Sequence, residues 1–349
     1  MQLSHVAVGD TTDTRPSGAT PHHRGRLTRI ALAATASALA SVSFADPALA
    51  AHGHVASPSN LQYNYTTVDN PGDLTFNQLL GINTSGEISG YFGSGAAGHP
   101  NQGYLTSSSG LTTFTPENYP ESTQTQVTGL NDRGLTVGFW SDTDNGNGMD
   151  ANFGFWSLGG HFHTVIFPTG NPASPEINQL LGVNDSDVAV GFYNDSSGNS
   201  HGYTYNILTD TYHEIKIAGA TSVTATAINN HGDVAGYFTD SKGTHAFILS
   251  RLGLLRVLNV HVPDVAMTQV FGINDDNEVV GDYTLSSGQM YGFTWSPSSG
   301  FELGINDPGG VGTTTLNGIN DAGDIVGFYV DSNNYTDGML AIPGSSSSS

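Results

Sequence analysis

Beyond residue 60 the chain alternates short apolar runs with clusters of Gly, Asn and Asp, and the pattern returns every 45 to 53 residues. Its marker is Gly-Ile-Asn or a near variant, with the asparagine at Asn83, Asn131, Asn184, Asn229, Asn274 and Asn320. Seven residues later stands a glycine (Gly90, Gly138, Gly191, Gly236, Gly281, Gly327), followed by a mostly aromatic pair, and no insertion enters that interval. A spacing that never changes predicts a tight hairpin, because one added residue would flip the second strand's side chains to the other face. Three positions after the asparagine come Gly86, Gly134, Asp187, Gly232, Asn277 and Gly323, all types that tolerate positive φ. Directly after it stands mostly Asp (Asp132, Asp185, Asp275, Asp321), read as a turn initiator acting through its side chain. A calcium loop is the competing reading of the same residues.

Each unit continues with a third strand, as in His201 to Thr204, His245 to Ile248 and Tyr291 to Thr294, and a fourth, as in Phe162 to Phe167 and Tyr212 to Ile217. Four short strands per unit predict an all-β fold, a six-bladed β-propeller. Its units lie near 74–120, 121–173, 174–219, 220–266, 267–310 and 311–343. The last unit stops after a third strand at Met339 to Ile342, and the segment Tyr63 to Pro71 resembles a fourth strand. Residues 61–71 are therefore expected to complete the sixth blade and close the ring between the chain ends. An open stack of the same hairpins is the rival.

Composition agrees with strands and turns. Of 349 residues 37% are hydrophobic, 11% are charged and 45 are glycine, which argues against an all-α protein. The net charge of −22 makes nucleic acid and anionic membranes poor partners. Without cysteine there is no disulfide, zinc thiolate or cysteine nucleophile. Arg24 to Ala50 carries basic residues, an apolar run from Ile30 to Phe44 and a small-residue site at Ala48-Leu49-Ala50. Residues 1–50 are expected to be a secretory signal peptide with an extended leader, 51–343 the exported propeller, and 344–349 a disordered serine tail. A secreted or periplasmic monomer without a membrane span follows.

The Gly-Ile-Asn, Gly-Phe-Tyr and His-Gly-Phe elements, with His245-Ala246-Phe247, resemble the bacterial extracellular repeat family named for its His-Ala-Phe motif (HAF repeats). The resemblance spans residues 60 to 343 and implies an exported repeat protein without implying a reaction. The third-strand histidine occurs only as His201 and His245.

Candidate chemistry is sparse. Long loops such as Ser141 to Asn152 and Pro168 to Ile177 mark one face as the expected ligand face, at the mouth of the central channel. Five residues before each asparagine stand Gln78, Gln126, Gln179, Thr224, Gln269 and Thr315, a polar ring able to bind a saccharide or peptide, or simply to hydrate the channel. Nine residues after it come Phe92, Trp140, Tyr193, Phe238, Tyr283 and Tyr329, suited to packing between blades or to stacking a ligand. Asp282 stands where the other repeats have an aromatic ring and is the leading acid, base or ligand carboxylate, with His201 and His245 beside it if the protein is an enzyme. Asp142, Asp144 and Asp150 offer calcium carboxylates but miss the EF-hand spacing. His161 and His163 share a strand face without a third metal ligand. No cofactor motif and no standard hydrolase motif is present. The resulting expectation is a secreted module that binds a small molecule, saccharide, peptide or envelope component through its long-loop face. The alternative is a lyase or cyclase acting at the channel mouth.

Overall fold

The structure is a computed structural model that describes residues 63–96, 98–143 and 150–344. The segment expected to be a signal peptide, Asp144 and the serines beyond 344 lie outside the described residues. Those described form strands and turns without a helix. One strand, β1 (Tyr63–Val68), precedes the first repeat. The first blade holds β2 (Asn77–Ile82), β3 (Glu87–Phe92), β4 (Gln102–Ser107) and β5 (Thr115–Pro116); the second holds β6 (Gln124–Leu130), β7 (Leu135–Ser141), β8 (Phe153–Leu158) and β9 (His161–Val165). The third has β10 (Asn178–Val183), β11 (Val188–Asn194), β12 (Ser200–Asn206) and β13 (Thr211–Glu214), and the fourth β14 (Ser222–Ile228), β15 (Val234–Asp240), β16 (Gly243–Leu249) and β17 (Leu255–Leu258). The fifth contains β18 (Val265–Ile273), β19 (Val279–Leu285), β20 (Met290–Ser296) and β21 (Gly300–Leu303), and the sixth β22 (Thr314–Ile319), β23 (Ile325–Val330) and β24 (Thr336–Pro343).

Within each blade the strands pair antiparallel in chain order. The expected hairpin is present in all six repeats, with positive φ at Gly86, Gly134, Asp187, Gly232, Asn277 and Gly323. The recurring glycine has a steric cause. In the third blade the inner strand bulges between Leu180 and Gly182, and a Cβ on Gly191 would run into the backbone carbonyl oxygen of Gln179. Only glycine lets the second strand approach that closely.

Strand β1 pairs antiparallel with β24, from Tyr63 opposite Pro343 to Val68 opposite Gly338, giving the sixth blade its fourth strand. The seam between sixth and first blades is built like the others. Isolated parallel bridges join Phe76 to Thr336, Asn152 to Ile177 and Met290 to Thr313, and Thr244 to Met267 does the same between fourth and fifth blades. The core lies between blades: Leu79, Ile88 and Tyr104 of the first pack with Val326 and Leu340 of the sixth and with Val68 of β1. Burying one such side chain contributes about 1.5 to 3 kcal/mol, so each seam depends on both of its blades.

Candidate functional site

The six repeat asparagines do more than start a turn. In the third blade the Asn184 side-chain oxygen accepts from the backbone N–H groups of Ser186 (3.0 Å) and Val188 (3.1 Å), closing the turn. Its amide nitrogen donates to the backbone carbonyl of Asn229 in the next blade at 2.9 Å. The same bond runs from Asn83 to Asn131, Asn131 to Asn184, Asn229 to Asn274, Asn274 to Asn320 and Asn320 back to Asn83. All six residues are buried, so these amides form a hoop that visits every blade once.

The following residue adds a second tier, and here its role differs from the turn initiation expected of it. The side chain of Asp132 accepts from the Thr84 backbone N–H, Asp185 from Asp132, Asn230 from Asp185, Asp275 from Asn230 and Asp321 from Asp275. Each therefore reaches back to the preceding blade. Both amide hydrogens of Asn230 are engaged, by Asp185 and Asp275 at 3.0 Å each.

Together these tiers line an axial cavity of about 70 Å³, room for several waters or the polar end of a ligand. Three residues from every blade surround it: an apolar one, such as Ile82 or Val183, the asparagine, and Thr84, Asp132, Asp185, Asn230, Asp275 or Asp321. No lysine or arginine lines it. It opens among the hairpin turns, at the end of the axis opposite the long loops where a ligand was expected. One signal for it stood in the sequence. Asp would serve the turn equally well but its carboxylate cannot donate, whereas an amide accepts through its oxygen and donates through a separate nitrogen, and all six repeats use Asn.

The polar ring lies deeper. Gln78, Gln126, Gln179, Thr224 and Thr315 are buried and Gln269 is half-buried. Tyr91 donates its hydroxyl to the Gln78 side chain at 2.8 Å, and the Gln179 amide donates to the Asn152 side chain at 2.7 Å. The amides are therefore held within the wall. Asp282, 3% exposed, belongs to this layer. It pairs across strands with Gln269, and one carboxyl oxygen accepts from the Thr315 hydroxyl of the sixth blade at 3.0 Å. The other oxygen is buried without a partner. Burial pushes its pKa up to about 7, against the downward pull of the Thr315 hydroxyl.

The remaining candidates hold structure together. His201 lies between Glu214 (3.0 Å) and Asp195 (3.2 Å) and stacks on Tyr193. His245 lies between Asn259 (2.9 Å) and Asp240 (3.2 Å). Each ties the turn after a second strand to the outer rim of its own blade. Trp140 stacks on Tyr119 with ring centroids 4.4 Å apart, Tyr193 on Phe167 at 4.5 Å, and Tyr283 tilts against Tyr291. Tyr329 shares a 2.8 Å hydrogen bond with Thr67 of β1. Of the calcium candidates, Asp142 is exposed, while Asp150 is buried and accepts from Gln124 and Thr143. Among the described residues no three His, Asp or Glu side chains come together as a metal-holding group.

No protein-family model matches the chain, and no curated protein does. Among solved structures it is similar to a mutant of AofleA from Arthrobotrys oligospora, at 10% identity and TM-score 0.49, over 81% of this chain and 88% of that one. A mutant of Aleuria aurantia lectin in complex with alpha-methyl-L-fucoside aligns at 11% identity and TM-score 0.47, over 82% and 96%. Virginiamycin B lyase from Staphylococcus aureus aligns at 11% identity and TM-score 0.44, over 80% of this chain and 100% of that one.

Proposed function

We propose that the chain is an exported, HAF-type repeat protein, a propeller closed by β1, that binds a small polar ligand at the axial mouth on its hairpin face. The observation that carries this reading is the cavity, to which every blade contributes the same three positions. Its rim is rich in acceptors: the side-chain oxygens of Asp132, Asp185, Asp275 and Asp321 already accept from backbone N–H groups, and the amide donors of Asn230 are already used. The complementary ligand offers donors, as the hydroxyls of a saccharide end or the ammonium of a peptide do. Glycan and peptide panels followed by calorimetric titration test this. Asp132→Asn combined with Asp321→Asn keeps the acceptor for the neighbouring backbone and removes the charge. Weakening of the best binder at least tenfold, with an unchanged melting temperature, is expected; unaltered binding refutes the site.

One observation favours a second reading, a lyase or cyclase. Asp282 has a free carboxyl oxygen and a pKa raised to about 7, which suits proton transfer near neutrality. That chemistry requires the seam between fifth and sixth blades to open to a substrate. Loss of turnover in Asp282→Asn with ligand binding intact would support it; turnover retained in that variant would exclude Asp282 as the acid or base.

A further inference from the structure

The outer edge of the fourth blade departs from the other five. Residues Arg251 to Val257, reading RLGLLRV, are all exposed, with Leu252 at 77%, Leu254 at 71%, Leu255 at 42% and Val257 at 44%. Strand β17 pairs only with β16, so the N–H and C=O groups on its outer side have no strand beside them. Such an edge invites pairing with another chain, and proteins normally blunt it with proline or charged residues. The other edge strands carry Pro116 in β5, His161 and His163 in β9, His213 and Glu214 in β13, Glu302 in β21, and Asn64 and Thr66 in β1, whereas β17 sets its one charge, Arg256, between the exposed Leu255 and Val257.

The charge here is equally out of place. The chain has 9 Lys and Arg against 31 Asp and Glu, yet Arg251 and Arg256 form no ion pair among the described residues, whereas Arg133 and Lys216 do. The Arg256 guanidinium sits 5.3 Å from the centroid of the Trp295 ring, a cation–π contact that leaves its charge unneutralised.

We infer that β17 is a docking edge for an extended segment of another protein in which acidic and apolar residues alternate, and which adds to the fourth blade as a fifth strand. Alternation follows from the pleat: Leu255 and Val257 lie on one face of β17 and Arg256 on the other, so an added strand meets an apolar strip and a guanidinium at every second position. Backbone hydrogen bonds supply affinity, and the arginines select carboxylates. A second copy paired edge to edge about a two-fold would bring like arginines together. An anionic lipid surface would satisfy none of the edge's backbone groups.

The probe is a fluorescein-labelled octapeptide alternating Glu and Val, read by anisotropy at low and high salt. A Lys-Val octapeptide and one with the four Glu grouped at one end serve as comparators, and phosphatidylglycerol vesicles and sedimentation velocity run in parallel. Saturable, salt-sensitive binding of the alternating acidic peptide is expected, with slowed amide exchange along β17. Arg251→Glu with Arg256→Glu should weaken it at least tenfold and gain the Lys-Val peptide. Arg251→Gln, a change at an exposed position, provides the same test in weaker form if the double variant unfolds. Absence of saturable binding, binding indifferent to Arg251, equal binding of the grouped peptide, dimers abolished by the arginine changes, or vesicle binding alone would each overturn the inference.

Discussion

Replacing Asp282 by asparagine probes the buried layer of the wheel directly. The carboxyl is sealed between β19 and the sixth blade, with one oxygen on Thr315 and the other unpartnered. Burial raises its pKa from 3.8 to about 7. Because the folded state holds this proton more tightly than the unfolded chain, its contribution to stability is present below pH 4 and is lost as pH rises through 7. About three units at 1.36 kcal/mol each amount to about 4 kcal/mol. The assay is urea denaturation of wild type and Asp282→Asn at intervals from pH 4 to pH 8. The other carboxylates titrate alike in both proteins and cancel in the difference, and any fixed cost of the new amide is independent of pH. Relative to wild type, the variant should gain about 4 kcal/mol between pH 4 and pH 8, most of it below pH 7. A difference that stays constant across that range refutes the assignment of Asp282 as a buried, proton-holding carboxyl. Asp282→Phe, which restores the aromatic character of the other repeats, should remove the same pH dependence.

Further outcomes follow from the same geometry. Asn184→Asp keeps the turn acceptor but sets a carboxylate oxygen instead of a donor against the buried Asn229 carbonyl, which keeps only its bond from the Gly232 N–H; a loss of about 1 to 3 kcal/mol in urea denaturation is expected, and an unchanged midpoint would deny the hoop. Gly191→Ala places a methyl group against the Gln179 carbonyl and should cost about 3 kcal/mol, measured by thermal melting; a native melt would contradict the close approach. Burial alone would raise Asp195, but hydrogen bonds from Asn199 and His201 hold it below the usual range. Its stabilisation is therefore present above pH 4 and lost only in stronger acid, and His201→Ala should shift that acid loss to higher pH. At the closing seam, Asp69 is pushed up to about 6 by burial and by the charge of Asp337. Contact between β1 and β24 should accordingly loosen as pH rises through 6, and Asp69→Asn should protect it.

The architecture was legible wherever one physical constraint acted on every repeat. The fixed interval from asparagine to glycine required a hairpin, the third residue after the asparagine required positive φ, and the missing fourth strand after Ile342 pointed to the segment now seen as Tyr63–Val68. The site was less legible because its residues already had a sufficient local reason to be there. Asn184 and Asp185 looked complete as turn formers, and nothing local announces that one amide also reaches the next blade while the carboxylate reaches back to the preceding one. The glutamine ring occupies one register across the inner strands, but its burial depends on what Tyr91, Asn152 and Asp282 contribute from elsewhere in the chain. Long loops drew attention to one face, whereas the cavity formed where six short turns converge.

Ring closure is the claim on which the axial mouth, the hoop and the Asp282 seam all depend, and native-state hydrogen exchange resolved by residue tests it most directly. If β1 completes the sixth blade, the amides of Tyr63 to Val68 that face β24 exchange as slowly as those of β24 itself, and both become exposed in the same unfolding step. Fast, unprotected exchange across Tyr63 to Val68 while β22 to β24 remain protected would contradict the wheel.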